Sequence, residues 1–365
     1  MNMVFFVTNL NSGGIENYLL RFLREKGRFL SRIFVWCKSG KIGHLEKDYL
    51  EIKNVEIIKS PLGYFDILSY HRMKQFLIDN KIGVVCDFTG DFGGRIVKTA
   101  CKAGVSRRIV FYRNSSLRYK PDPLRKLYHR WIKNLTLKYS THLLANSSAG
   151  FEFYHGNRWD RDHRFQVIYN GVDIKEFFKE QGDLREALDI PRNAFVIGNT
   201  GRYNPAKNHV TILRVAEELL QKYDDIYFMM CGSGVKENLL PVIQKKNLEK
   251  KIKVFENRDD IPRFLQTLDC YFFPSITEGQ PNALIEAMII GIPSIASNIP
   301  SIKETTPSEI HSYLKDPLDA EGFLQILEKI YHFPEYRKQF VFTEWAAEQF
   351  DSKKRFEEFY KVLAE

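Results

Sequence analysis

Two glutamates and the turn between them carry the most informative chemistry in this chain. Glu278 and Glu286 bracket the run Gly279-Gln280-Pro281-Asn282-Ala283-Leu284-Ile285. Before them, Leu268 to Pro274 is a short apolar run that suits a buried parallel strand. Pro281 and Asn282 then open a series of helix formers, being good first-turn and capping residues. Glu278 is therefore expected in the loop at the carboxyl end of a strand, and Glu286 within the first turns of the next helix. Backbone N–H groups at that helix start, flanked by carboxylates, suit a ligand with both hydroxyls and phosphates. A sugar nucleotide is such a ligand. Two glutamates at this spacing also occur on helices that bind nothing. It is the strand before, the turn between and the strand Pro293–Ser297 after that make the pattern specific.

Other groups follow strands in the same way. Gly13 and Gly14 come after the first strand and open a helix, so they let backbone approach an anion or simply form a tight turn. Their spacing is not that of a dinucleotide fingerprint. Arg202 and Lys207 follow the strand at Phe195 in the segment Gly201 to Asn208, a loop marked by Gly201 and Pro205. Arg202 offers a planar fork for phosphate oxygens and Lys207 a mobile point charge, although a solvated loop would contain the same residues. Gly232 and Gly234 follow the next strand and allow close backbone approach. Asn257 and Arg258 follow the strand ending at Phe255.

The elements that must position these groups alternate between short β-rich runs and longer amphipathic ones. Expected strands are Val4–Thr8, Arg32–Cys37, Val55–Lys59, Val84–Phe88, Arg108–Tyr112, His142–Ala145 and Gln166–Tyr169. A second series runs Phe195–Thr200, Ile226–Cys231, Lys251–Phe255, Cys270–Pro274 and Pro293–Ser297. Helices are expected between them, among others at Ile15–Glu25, Ser69–Asp79, Arg95–Ala103, Pro205–Gln221, Lys236–Lys246, Ile261–Leu268 and Asn282–Ile289. Twofold β-α alternation over 365 residues argues an α/β protein with two doubly wound, Rossmann-like domains. The join is expected in the turn-rich Tyr169–Asp173. That gives residues 1–170 and 171–349, with a charged helix in 350–365 crossing back to the first domain. Ligands of such sheets bind outside the carboxyl ends of the strands, so two facing domains would line one cleft.

Composition narrows the class. At 44% hydrophobic and 27% charged residues the chain reads as globular, and no apolar run approaches the roughly 20 residues that span a bilayer. Met1 to Thr8 reads as a first strand rather than a signal peptide. Cys37, Cys86, Cys101, Cys231 and Cys270 lack paired spacing and suit free thiols in a reducing cytosol. No His/Cys/Asp cluster has metal-ligand spacing. The net charge of +9 is concentrated between Arg107 and Lys138, where ten Lys/Arg face one acid, Asp122. Leu124, Leu127, Tyr128, Trp131, Leu135 and Leu137 interleave with them. This is the pattern of a basic amphipathic helix for an anionic membrane surface, and equally of a solvated basic face packed by its apolar stripe. No nucleic-acid motif accompanies it.

Taken in order, Gly13-Gly14, Val167 to Asp173 with Phe177, Gly201-Arg202 with Lys207-Asn208, Gly232-Ser233-Gly234, and Pro274-Ser275 with Glu278 through Met288 resemble one family. It is the retaining, two-Rossmann-domain (GT-B) glycosyltransferases called group 1 or family 4. The resemblance covers nearly the whole chain. It implies transfer of a hexosyl unit from a UDP- or GDP-sugar to an acceptor hydroxyl, with no bound metal or cofactor. It also implies that Glu286 holds the donor ribose, Glu278 contacts the donor sugar, and Arg202 with Lys207 neutralises the diphosphate. Gly13, Gly14, Gly232, Asn257, Arg258, Gly279, Gln280, Pro281, Asn282 and Ala283 would line the donor. Many members carry a histidine where Arg113 stands, and an arginine there would contact phosphate or an anionic acceptor instead. A lipid-linked saccharide acceptor fits the basic aromatic stretch, which places the chain in the cytoplasm or on the inner face of the plasma membrane. On the same architecture a sugar-nucleotide epimerase, a phosphorylase or a non-catalytic nucleotide-sugar-binding partner are the alternatives.

Overall fold

The computed structural model describes residues 1–11, 13–63, 66–113, 122–157, 159–178 and 182–364. Arg118 and Lys120 of the basic stretch, and Asn114 and Ser115 beside Arg113, lie outside them. The chain divides into two compact units, Met1–Gly171 with Lys353–Glu365, and Val172–Ser352.

The first unit holds a seven-stranded parallel sheet in the order β3-β2-β1-β4-β5-β6-β7. Its strands are β1 (Asn2–Val7), β2 (Ile33–Cys37), β3 (Val55–Lys59), β4 (Ile82–Asp87), β5 (Arg107–Tyr112), β6 (His142–Ala145) and β7 (Phe165–Val167). β1, β2 and β4 are buried along almost their whole length, as expected for parallel strands covered on both faces. One side of the sheet packs on the helix Gly14–Lys26 and on the C-terminal helix Ser352–Ala364, whose Phe356, Phe359 and Leu363 enter this core. Phe22 and Phe359 meet at 4.7 Å between ring centres, and Tyr18 meets Phe356 edge-on at 5.5 Å. Removing a ring such as Phe359 would cost about 3–5 kcal/mol, enough to explain why the last helix joins this unit.

The second unit holds a five-stranded parallel sheet ordered β10-β9-β8-β11-β12. These are β8 (Phe195–Thr200), β9 (Ile226–Cys231), β10 (Ile252–Phe255), β11 (Cys270–Phe273) and β12 (Ser294–Ala296). All twelve strands among the described residues overlap the runs that announce them. One helix does not run as expected. The segment from Pro205 to Gln221 breaks into a short 3-10 turn, Pro205–Lys207, and the helix His209–Lys222. Asn208 between them is left-handed, with φ of 54°, because its amide donates to the carbonyls of Pro274 (3.0 Å) and Pro317 (2.7 Å).

In each sheet the strand order reverses direction once, between β1 and β4 and between β8 and β11. The crevice outside the carboxyl ends at such a point is where doubly wound sheets bind ligands.

Candidate functional site

The loop after β8 is shaped by what it must pass. Gly232, after β9, lies so close to it that a Cβ there would sit 2.2 Å from the Gly201 carbonyl oxygen. The Gly201 N–H donates to the Cys231 carbonyl (2.9 Å), the Tyr203 N–H to Ser233 (2.8 Å), and the Gly232 N–H to Phe255 (3.2 Å). The loops after β8, β9 and β10 are thus knitted together through their backbones. On the other side, the Ile276 N–H donates to the Ala206 carbonyl at 2.8 Å, and Asn208 holds Pro274.

This stitching brings two of the sequence-identified groups into contact. Lys207 Nζ lies 2.6 Å from Glu278 Oε1, with the two side chains 16% and 12% exposed. The ammonium also stands 4.8 Å over the Phe273 ring. Phe273 stacks with Tyr271 at 5.9 Å, and the Tyr271 hydroxyl meets Thr200 Oγ1 at 2.8 Å. Glu286 is half-buried in the helix Asn282–Ile290, which starts on Pro281 with no side-chain cap. Its charge reaches both Tyr271 and Cys231. Burial above all, then Asp260 and Glu286 working against Arg258, pushes the Cys231 thiol up to about 12. Lys207 and Glu278 therefore meet at the carboxyl end of the second sheet, at its reversal point, and Glu286 lies on the helix that follows. Gln280 and Pro281 are buried in the turn, and Gly279, Asn282 and Ala283 are half-buried beside it.

The other expected donor contacts are less uniform. Arg202 is exposed and forms no ion pair among the described residues. Asn257 is exposed. Arg258 forks onto Asp260 with bonds of 2.7 and 2.6 Å while lying over the Phe255 ring. Two groups were missed by sequence reasoning. Glu256 accepts the Gly234 N–H (2.7 Å) and the Glu237 N–H (3.1 Å), so its own carboxylate occupies the start of the helix Val235–Lys245. The Gly232-Ser233-Gly234 turn thus serves close packing of loops and a carboxylate cap. His209, behind Lys207, is buried with no hydrogen-bond partner on either ring nitrogen. Burial, with Lys207 nearby, pushes its imidazole down to about 4. Neither group has a local sequence signature.

In the first unit, a Cβ on Gly13 would lie 2.7 Å from Glu16 Oε2, whereas one on Gly14 would meet nothing within 4 Å. The first-turn glutamate folds back over the helix start. Arg113, directly after β5, lies 3.9 Å over the Tyr18 ring. A buried polar network beside it was also missed. Tyr112 Oη donates to Asp91 Oδ1, His155 Nε2 lies 3.0 Å from Tyr112 Oη, and His129 Nε2 is 3.3 Å from Asp91 Oδ2. Burial raises the Asp91 carboxyl and lowers the His155 imidazole to about 3. His129 belongs to the helix Pro123–Tyr139, capped by Asp122 through the Arg125 N–H at 2.9 Å. That helix buries Ile132 and Thr136 and leaves Leu124, Leu127 and Trp131 80%, 67% and 43% exposed. No helix among the described residues is long and apolar enough to cross a membrane. No group of three or more His, Cys, Asp or Glu among them is placed to hold a metal ion.

Comparisons with known proteins agree with this layout. Residues 12–176 match the model of the Glycosyltransferase Family 4 domain, and residues 180–342 that of Glycosyl transferases group 1. The chain is 30% identical, across 76% of its length and 72% of the relative's, to the Escherichia coli UDP-Gal:alpha-D-GlcNAc-diphosphoundecaprenol alpha-1,3-galactosyltransferase. It is 29% identical, across 85% of its length and 83% of the relative's, to the capsular polysaccharide biosynthesis glycosyltransferase CapH of Staphylococcus aureus. The fold is that of the Anabaena protein HepE, solved in complex with UDP, with a TM-score of 0.80 over the full length of both chains at 19% identity.

Proposed function

Because this chain belongs to the group 1, family 4 glycosyltransferases, we propose that it moves a hexosyl unit from a nucleoside-diphosphate sugar to a lipid-linked saccharide, retaining the anomeric configuration, during synthesis of a bacterial surface polysaccharide. The observation that carries this reading is the contact of Lys207 with Glu278 at the reversal point of the second sheet, beside a helix start with no side-chain cap. The lipid-diphosphate acceptor in the name of the Escherichia coli relative supports the acceptor class, and UDP in HepE supports a uridine nucleotide.

In this reading the second unit holds the donor. Glu286 binds the ribose hydroxyls, and the turn from Gly279 to Ala283 lies along the diphosphate. As the bond from the sugar's anomeric carbon to the leaving oxygen breaks, positive charge grows on the ring and negative charge on the diphosphate. Arg202, Lys207 and the helix start at Asn282 stabilise that anion where it develops. Glu278 orients the sugar by its hydroxyls. The leaving diphosphate oxygen takes the acceptor proton. The first unit takes the acceptor, with the Pro123–Tyr139 helix lying on the anionic membrane surface that presents it.

The test begins with a thermal-shift panel of UDP- and GDP-sugars, because a ligand selective for the folded chain raises its melting temperature. The stabilising sugar is then incubated with and without a polyprenyl-diphosphate saccharide, and the product anomer is read by NMR. Acceptor-dependent transfer with retention is expected. Isomerisation of the sugar nucleotide without acceptor, or an inverted product, would refute the reading.

A further inference from the structure

Arg113 is a partly buried cation with no ion-pair partner among the described residues. Its guanidinium lies flat on the Tyr18 ring at 3.9 Å, with the Phe111 ring 5.0 Å away. Nη1 is buried without a hydrogen-bond partner, and no carboxylate among the described residues forms an ion pair with the side chain. Tyr18 Oη is also buried and unpartnered, as is Nε of Arg21 one turn further along the same helix. Buried arginines are ordinarily paired, since a desolvated charge with no counter-ion opposes folding. A methionine would fill the same space on Tyr18 without that penalty. Burial lowers the Arg113 guanidinium to about 10, which still leaves it charged at neutral pH.

The surroundings say what the charge is for. Arg113 follows β5 at the carboxyl edge of the first sheet, the strand after the pair that flanks its reversal point. The residue is half-buried, and its guanidinium is a planar fork of donors. Such a fork matches the two oxygens of a phosphate or carboxylate. The second unit already has Arg202 and Lys207 for a donor diphosphate.

We infer that Arg113, held on the Tyr18 ring, is an oxyanion receptor for a phosphate or carboxylate group of the acceptor. This rests on the reading that the first unit takes the acceptor. Arg113 supplies the contact, and Tyr18 is a positioning residue that keeps the guanidinium flat.

The test uses the full chain saturated with the nucleoside diphosphate that the donor panel selects, so that Arg202 and Lys207 are occupied. Inorganic diphosphate and glucuronate are titrated separately by calorimetry against wild type, Arg113→Met and Arg113→Lys. Wild type is expected to bind one of the two probes, which identifies phosphate or carboxylate as the group read. Arg113→Met should weaken that binding at least tenfold, and Arg113→Lys should fall between, keeping the charge without the fork. Nucleotide affinity should be the same in all three. Arg113→Met should also melt at or above the wild-type temperature, because it removes an uncompensated charge and keeps the packing. Binding of neither probe, equal binding by Arg113→Met, or a clear drop in its melting temperature would overturn the inference. If no nucleoside diphosphate binds wild type, the donor reading fails, and the same titrations without nucleotide still decide the Arg113 site.

Discussion

Lys207 Nζ and Glu278 Oε1 lie 2.6 Å apart, so a cation and a carboxylate meant for different parts of one ligand neutralise each other in the free protein. A diphosphate must therefore compete with Glu278 for the ammonium. Glu278→Gln removes the competitor and keeps the shape. It should bind a nucleoside diphosphate at least as tightly as wild type, yet turn over 10–1,000-fold more slowly because the donor sugar loses its orienting charge. Calorimetry and steady-state rates measured together decide this. Weaker nucleotide binding would mean that Glu278 supports the phosphate site and does not restrain it.

Arg202 differs from Lys207 in being exposed and unpaired among the described residues, so its removal breaks no ion pair there. Arg202→Ala should lower turnover about 10²–10³-fold, as for loss of one stabiliser of transition-state charge, with an unchanged melting temperature. Wild-type turnover in a folded variant would take Arg202 out of the mechanism.

Glu286 offers a charged acceptor to ribose hydroxyls, a bond of about 1.5–3 kcal/mol. Glu286→Ala should therefore weaken nucleoside-diphosphate binding roughly 10–100-fold, while inorganic diphosphate binding at the same unit changes little. If both probes weaken equally, the residue shapes the helix start and does not read the sugar of the nucleotide.

The strands were legible because both sheets are parallel and covered on both faces, which leaves near-continuous apolar runs such as Val4 to Val7 and Cys270 to Phe273. Glu278 and Glu286 were legible because local order, strand then turn then helix, fixes where they sit. The break at Asn208 was not, since the carbonyls that hold it come from Pro274 and Pro317, and no local spacing reports them. The same holds for Glu256, whose capping bond to Gly234 spans 22 residues, and for the Asp91–Tyr112–His155 chain. The helix Ala320–His332 was not anticipated, although Phe323, Leu324, Leu327 and Ile330 recur in it at helical spacing.

Acid should weaken the fold in a defined window. His209 titrates near 4 in the folded chain because of its burial, against 6.5 in the unfolded chain. Between those values the unfolded state binds more protons, so stability is present above about 6.5 and is lost as pH falls towards 4. The slope is about 1.4 kcal/mol per pH unit for one such group. His155, held near 3, adds a loss of the same sign, and Asp91, raised by burial, opposes it at the acid end. Denaturant unfolding of wild type and His209→Phe from pH 7.5 to 4.5 tests the assignment. The variant should lose part of the slope between pH 6.5 and 4.5. Parallel curves would show that the imidazole is protonated in the folded chain.

The Pro123–Tyr139 helix makes the last case, because its two faces are energetically opposed in water. Ile132 and Thr136 anchor one face to the first unit, while Leu124, Leu127 and Trp131 stand exposed among Arg125, Lys126 and Arg130. Exposed leucines beside like charges contribute nothing to folding, whereas a membrane interface with anionic headgroups satisfies both at once. Vesicle binding should rise with the fraction of anionic lipid and fall as salt shortens the reach of the charges. Leu124→Ser with Leu127→Ser should weaken it about tenfold or more, on the basis of roughly 1.5–3 kcal/mol for burying each leucine fully, and leave the melting temperature unchanged. Turnover on a short-chain, water-soluble acceptor should also be unchanged, so any loss is confined to acceptors presented in a bilayer. Undiminished vesicle binding by the double variant would return this helix to the role of an ordinary solvated face.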